Sequence, residues 1–204
     1  MTIRNDYQPF AAGSFTILPP DHPAAVNADR TTLIMERGAF GSGEHETTRS
    51  CLEYLAKADL TGCRTILDFG SGTGILSIAA LKMQPAARSW CVDIDPNAVA
   101  SARRNCRLNQ IPEEQIVHLC GTLDQLAADG FDLVLANIYA DILLDMAAKL
   151  VEKSRPGALL VLSGILWEDN FDVRKAYEKL GCQVLRNWML DEFSTLILTR
   201  QSMY

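Results

Sequence analysis

A glycine-rich turn between two apolar segments is the feature that most constrains the fold of this chain. Residues 65–76 read Thr-Ile-Leu-Asp-Phe-Gly-Ser-Gly-Thr-Gly-Ile-Leu. Glycine adopts positive φ and has no Cβ, so a ligand can approach its backbone closely. A strand that turns sharply into a helix also points backbone N–H groups at that ligand, which favours an anionic or zwitterionic group. The pattern predicts a nucleoside-binding strand–loop–helix unit.

The spacing of the glycines separates two classes of nucleoside cofactor. Dinucleotide-binding loops follow the pattern G-x-G-x-x-G. Here the glycines are Gly70, Gly72 and Gly74, and the bulky Ile75 stands where that pattern requires a small residue. The carboxylate of Asp68, just before the loop, would repel a pyrophosphate but attract the ammonium group of an amino acid. The loop therefore favours S-adenosyl-L-methionine over a nicotinamide dinucleotide.

Two further polar residues follow predicted strands. Asp93 lies near the end of segment 89–94, and we expect its carboxylate to bind both ribose hydroxyls of the cofactor. Asn137 follows the apolar segment 132–136. Its neutral amide could accept a hydrogen bond from an N–H nucleophile, or it could simply cap the following helix. We predict that Asn137 contacts both the cofactor and the acceptor.

Three more side chains are candidates for the same site. Tyr139 could line the acceptor slot and contact a methylated ammonium through a cation–π interaction, or it could be a half-buried aromatic residue. Thr47 and Thr48 could bind a methionine carboxylate, or they could serve as N-caps. His45, in the polar loop before them, is more often solvated than catalytic in such a setting. We predict Asn137 and Tyr139 as the catalytic pair.

Alternating strand and helix patterns predict an α/β fold with a mostly parallel sheet and helices on both faces. The closing segments 183–188 and 194–199 are joined by a short link and are expected to form an antiparallel hairpin at one edge. Residues 1–46 are predicted as an N-terminal extension with short strands at 15–17 and 32–35 and a glycine-rich loop. Residues 47–204 form the predicted main domain, with helices at 74–83, 141–152 and 167–180 and a strand at 158–162.

Composition excludes several other classes. The 204 residues carry a net charge of −6 and no cluster of Lys or Arg, which disfavours direct nucleic-acid binding. No apolar run of about eighteen residues is present, so no membrane span is expected. The six cysteines show no C-x-x-C pair and the three histidines are scattered, so we expect no metal site and a reducing, cytoplasmic location.

Several motifs together resemble one known family. Residues 38–48, Gly-Ala-Phe-Gly-Ser-Gly-Glu-His-Glu-Thr-Thr, are similar to the A-F-G-T-G-x-H-x-T-T signature of the ribosomal protein L11 methyltransferases (PrmA). Segments 68–76, 92–96, 136–138 and 162–166 also resemble that family's motifs, in the same order. The resemblance implies a class I S-adenosylmethionine-dependent methyltransferase fold that methylates lysine or α-amino groups of a protein. It implies cofactor contacts at Thr48, Gly70, Asp93 and Asn137.

The resemblance covers the catalytic domain, and we expect the family's N-terminal substrate-docking domain to be absent from this chain. Tyr139 stands where the family usually has an aliphatic residue. The electron-transfer-flavoprotein lysine methyltransferases also resemble this family without its docking domain, so a non-ribosomal protein substrate is an open alternative to a ribosomal one. Two other functions stay open: methylation of a small metabolite, and binding of S-adenosylmethionine without catalysis. A nicotinamide oxidoreductase is disfavoured by Asp68 and Ile75.

Overall fold

The computed structural model describes residues 7–22, 29–37 and 44–202. The first part of the signature motif, residues 38–43, therefore lies outside the described residues. The described chain forms a small N-terminal sheet followed by a large sheet with helices on both faces. Within the described ranges, no helix is long and apolar enough to cross a membrane.

The large sheet has seven strands in the order β6-β5-β4-β7-β8-β10-β9. Its strands are β4 (Thr65–Phe69), β5 (Arg88–Asp93), β6 (Ile116–Cys120), β7 (Phe131–Asn137), β8 (Ser154–Leu166), β9 (Cys182–Met189) and β10 (Phe193–Arg200). Strands β4 to β8 pair in parallel, whereas β10 runs antiparallel to both β8 and β9. The predicted fold class, including the antiparallel edge hairpin, is confirmed.

Helices cover both faces of this sheet because its strands are apolar on both sides. Alternate residues of β7 enter two separate buried clusters, with Leu133 and Leu135 in one and Val134 and Ala136 in the other. The helices are α1 (Glu46–Leu55), α2 (Ile75–Met83), α3 (Pro96–Leu108), α4 (Ala140–Asp145), α5 (Ala147–Lys153) and α6 (Asn170–Lys179). Helices α1, α2 and α3 contribute to the first cluster, and α4, α5 and α6 contribute to the second.

The N-terminal sheet packs onto the first of these clusters. It contains β1 (Phe10–Ala12), β2 (Phe15–Leu18) and β3 (Thr31–Ile34). The two predicted strands are present, and the short edge strand β1 was not foreseen. Asn109, the C-cap of α3, accepts from the Ile34 N–H at 3.0 Å, and Asn105 of α3 accepts from the Glu36 N–H at 2.7 Å. The strands of the predicted extension thus share a core with the main domain.

Three predicted boundaries differ from the structure. The helix predicted at 141–152 is two helices, α4 and α5, which meet at Met146. Strand β8 begins at Ser154 and runs through Gly157, where a break was predicted. Gly157 has a φ of 80° and lies next to a shift in pairing register, so the irregularity is accommodated within the strand. The helix predicted from residue 167 begins instead with a 3-10 turn, Trp167–Asp169, before α6.

Candidate functional site

The predicted site residues meet at the carboxyl ends of β4, β5 and β7. Strands β5 and β6 lie on one side of β4, and β7 and β8 lie on the other, so the strand order reverses at β4. Ligands of open α/β sheets bind at such a reversal. The structure therefore brings the glycine loop, Asp93 and Asn137 together at the position where a ligand is expected.

The loop between β4 and α2 requires its three glycines for conformational reasons. Gly70, Gly72 and Gly74 have φ values of 69°, 53° and 77°. These angles lie in the left-handed region that other residues rarely adopt. A Cβ on Gly70 would also lie 2.3 Å from Cγ2 of Ile138. The loop and the segment after β7 are therefore in close contact.

Asp68 lies beneath this loop. It is 2% exposed, and its Oδ2 accepts hydrogen bonds from the backbone N–H of Ser77 at 3.1 Å and from its hydroxyl at 2.8 Å. Burial raises the pKa of Asp68 to about 6, opposed by the Ser77 hydrogen bonds and assisted by the charge of Asp93. Asp68 thus holds the first turn of α2 in place, a role that the sequence did not suggest. Direct contact between Asp68 and an ammonium group stays a prediction.

Asp93 is oriented by the main chain on both sides of it. Its Oδ2 accepts from the Gly72 N–H at 2.8 Å, and its Oδ1 accepts from the Asp95 N–H at 3.0 Å. The neighbouring Ile94 side chain is 74% exposed. A partly exposed carboxylate beside an exposed apolar side chain is suited to a sugar with an attached base. Binding of ribose by Asp93 stays a prediction.

Asn137 is fixed by the start of α1. Its Nδ2 donates to Oγ1 of Thr48 at 3.0 Å, and Thr48 is 1% exposed. The amide oxygen is the acceptor of this side chain, and the contact between Nδ2 and Thr48 sets the direction in which that oxygen points. The N-cap of the next helix, α4, is Tyr139. The alternative that Asn137 merely caps that helix is therefore wrong.

The N-cap of α1 is His45. Its Nδ1 lies 2.8 Å from Oγ1 of Thr47 and accepts from the Thr47 N–H at 3.4 Å. The alternative that Thr47 and Thr48 serve as N-caps is wrong, since both lie inside the helix and are nearly fully buried. Their contacts with a cofactor stay predictions. His45 also packs edge-on against Phe193 of β10, with ring centroids 5.1 Å apart.

Tyr139 is 64% exposed at the carboxyl end of β7, so the alternative of a half-buried aromatic residue is wrong. The segment before it is held by β8, because the Ile138 N–H donates to the Ser163 carbonyl at 3.1 Å. Gly164 allows this approach, since a Cβ there would lie 2.5 Å from the Ile138 carbonyl oxygen. Ile138 and Gly164 fall within the motif segments 136–138 and 162–166, but no local pattern predicts that their backbones meet.

Buried hydroxyl groups of α1, β8 and β10 are in contact with one another. Thr195 of β10 has its Oγ1 2.5 Å from the hydroxyl of Ser50 and 2.6 Å from that of Ser163. All three residues are buried. This trio links α1, β8 and β10 and was missed by sequence reasoning, because the partners are far apart in the chain.

Comparison with known proteins identifies similar molecules. The family model described as Ribosomal protein L11 methyltransferase (PrmA) matches residues 2–201. A curated Ribosomal protein L11 methyltransferase of Pseudomonas aeruginosa is 43% identical over 175 residues, which are 85% of this chain and 58% of that protein. The chain thus spans about three fifths of the length of the curated relatives that it matches first.

Solved structures similar to this chain include a member of the same family and a more distant methyltransferase. A ribosomal protein L11 methylase from Lactobacillus delbrueckii subsp. bulgaricus superposes with a TM-score of 0.85 at 26% identity, covering 96% of this chain and 100% of that one. An RNA methyltransferase from Salinibacter ruber, solved with S-adenosyl-L-homocysteine, has a TM-score of 0.57 at 20% identity over 76% of this chain and 91% of that one. The second likeness shows the fold alone.

Proposed function

The chain belongs to the ribosomal protein L11 methyltransferase (PrmA) family, and from that premise we propose that it is an S-adenosylmethionine-dependent N-methyltransferase. The proposed acceptors are lysine or α-amino groups of a protein, ribosomal or of another kind. The fold, the family and the arrangement at the carboxyl ends of β4, β5 and β7 support this proposal.

The residues present fit S-adenosylmethionine. The left-handed glycines leave the backbone of the loop open to close approach, and Asp93 is held at its edge by the Gly72 N–H. In this site Asp93 would accept from the ribose, and the exposed Ile94 would cover part of the base. When bound, S-adenosylmethionine supplies a methyl group on a sulfonium that an in-line nucleophile can displace. The chain must hold the nucleophile in line, at about 3–3.5 Å from the reacting carbon.

The orientation of the Asn137 amide is the observation that carries the proposed acceptor class. The contact between Nδ2 and Thr48 orients the amide, whose oxygen is an uncharged acceptor at the carboxyl end of β7. Such an acceptor binds an N–H group of a neutral amine and helps to align its lone pair with the methyl group. The exposed ring of Tyr139, two residues later, is suited to contact the methylated product cation.

The acidic composition supports a protein acceptor over direct binding of nucleic acid, because phosphate binding needs a basic surface and the chain has a net charge of −6. We assign the activity to the cytoplasm. All six cysteines are free and five of them are buried, as expected for small apolar residues in a reducing compartment.

The test is transfer of radiolabelled methyl groups from S-adenosylmethionine into a cell extract, with and without protease treatment, beside purified ribosomes. We expect label in a discrete, protease-sensitive protein band, whose size shows whether a ribosomal protein is the substrate. The Asp93→Ala variant serves as the matched control and should give no label. Label confined to small molecules would contradict the proposal and favour a metabolite methyltransferase. Binding of cofactor without any transfer would favour a non-catalytic protein.

A further inference from the structure

The turn between β9 and β10 is held from two sides. The Glu46 carboxylate accepts from the backbone N–H of Asp191 at 3.0 Å and from that of Glu192 at 3.2 Å. From the other side, the backbone N–H of Trp167 donates to the Glu192 carbonyl at 3.2 Å, and its indole N–H donates to the Phe193 carbonyl at 3.0 Å. The turn, the start of α1 and the end of β8 are therefore one connected surface.

This surface adjoins the acceptor side of the site. Glu46 precedes Thr48 by two residues, and Thr48 holds the Asn137 amide. On the β8 side, Gly164 packs against the backbone of Ile138, and Trp167 follows three residues later. The start of α4, the end of β8 and the β9–β10 turn therefore lie beside the acceptor side of the site.

Aromatic and acidic side chains line this approach. The side chains of Tyr139 and Trp167 are 64% and 53% exposed, and Glu168, Asp191 and Glu192 are also exposed. We call these five residues the acidic–aromatic face. The chain segments that form it, residues 137–148, 163–170 and 189–199, contain several carboxylates and no Lys or Arg. These carboxylates favour a cationic ligand at this face.

The face ends at Phe171. That ring is 58% exposed, but the Arg174 guanidinium lies 5.6 Å from its centroid and the Lys175 ammonium lies 5.9 Å from it. These two cations already interact with the ring, and they make the charge around Phe171 positive, in contrast to the acidic–aromatic face. Phe171 is thus an exposed aromatic residue that is close to the face in sequence but has cationic neighbours. It serves as the matched control for Trp167.

We propose that the acidic–aromatic face docks an extended, basic segment of the protein substrate on both sides of the acceptor amine. The inference rests on the proposed function and deepens it by naming the chemistry around the methylated residue. Arg and Lys side chains of such a segment would stack on Trp167 and Tyr139 and pair with the carboxylates around them. The charge complementarity selects a basic segment over an acidic one.

The test is binding of short fluorescein-labelled peptides to the full chain by anisotropy, in the presence of S-adenosylhomocysteine. One peptide has a central lysine flanked by Arg and Gly; in two others Gln or Glu replaces each Arg. We expect the Arg peptide to bind about tenfold more tightly than the Gln peptide, and the Glu peptide more weakly than both. Trp167→Ala should remove roughly tenfold of the affinity for the Arg peptide, while Phe171→Ala leaves it unchanged.

A second variant keeps the test independent of packing. Glu168→Gln combined with Asp191→Asn retains side-chain size, and it should reduce the preference for the Arg peptide and the dependence of its binding on salt. Equal affinity of the wild type for all three peptides, or equal losses in Trp167→Ala and Phe171→Ala, would overturn the proposal. So would light scattering that shows a dimer dissociated by Trp167→Ala, since a second copy would then occupy the face. Binding of S-adenosylhomocysteine, measured on the same samples, tests the proposed function separately.

Discussion

Replacement of Gly70 by alanine should destabilise the protein by two separable effects. The φ of Gly70 is 69°, and a left-handed conformation costs a residue with a Cβ about 1–2 kcal/mol. The new Cβ would also lie 2.3 Å from Cγ2 of Ile138, whereas carbon atoms normally approach to about 3.5–4.0 Å. Ile138 is β-branched and stiff at χ1, so relief of this overlap should cost a further 1–3 kcal/mol, roughly the range for overpacked sites.

The two effects can be separated with existing positions of the chain. Gly130 has a φ of 68° and no heavy atom within 4 Å of an added Cβ, so Gly130→Ala measures the conformational cost by itself. In an Ile138→Ala background the overlapping Cγ2 is absent, and the Ile138 Cβ would lie 3.7 Å away, an ordinary contact. Gly70→Ala should therefore cost about 1–3 kcal/mol less in that background than in the wild type.

The free energies come from urea unfolding of the four members of the Gly70/Ile138 cycle and of Gly130→Ala. Because Ile138 lies between Asn137 and Tyr139, Gly70→Ala should also weaken S-adenosylhomocysteine binding, and Ile138→Ala should partly restore it. If the cost of Gly70→Ala is the same in both backgrounds to within about 0.5 kcal/mol, the contact with Ile138 carries no energy and the reasoning is refuted.

Four further predictions concern the polar groups of the site and the acceptor amine. Asp93→Ala should lower the affinity for S-adenosylhomocysteine by at least about 100-fold, through loss of two charge-assisted hydrogen bonds to the ribose. It should also cost about 1–2 kcal/mol of stability, because the contacts to the Gly72 and Asp95 N–H groups are lost. Unchanged affinity in a calorimetric titration would exclude the ribose role. Asn137→Ala should lower kcat roughly tenfold, the equivalent of one hydrogen bond, with little change in cofactor affinity. The wild-type rate should rise between about pH 7 and 9, because the acceptor amine loses its proton. A flat pH profile of the single-turnover rate would argue against an amine acceptor. Because burial raises the pKa of Asp68 to about 6, the folded state binds a proton more tightly than the unfolded state, so this group's contribution to stability decreases as pH rises from about 4 to 6, by about 3 kcal/mol in total. Asp68→Asn should remove that decrease in urea titrations across this range, and an unchanged pH slope would contradict it.

The parts of the fold that local sequence determines were predictable. Strand β4, the glycine loop and α2 follow one another within twenty residues, and the conformation of the loop depends on its own glycines. The same holds for Asp95, which caps α3 by accepting from the Asn97 N–H two residues later. Alternation of strands and helices then fixed the sheet class, and the short link between the last two strands indicated the hairpin.

The remaining features depend on residues that are far apart in the chain. Glu46 meets the hairpin turn across 145 residues, and Thr48 meets Asn137 across 89. Neither pairing leaves a periodic or local signal, so Glu46 looked like any acid in a polar loop. The break at Met146 was hidden for another reason: apolar residues continue at helical spacing through it, and nothing local marks an end.

The most direct test of the proposed cofactor site is calorimetric titration of the purified chain with S-adenosylhomocysteine and, separately, with NAD. The glycine spacing, the buried Asp68 and the orientation of Asp93 predict binding of one S-adenosylhomocysteine per chain, its loss in Asp93→Ala, and no binding of NAD. Binding of NAD in preference, or S-adenosylhomocysteine binding that Asp93→Ala leaves intact, would contradict the assignment of the loop at the carboxyl end of β4 as the methyl-donor site.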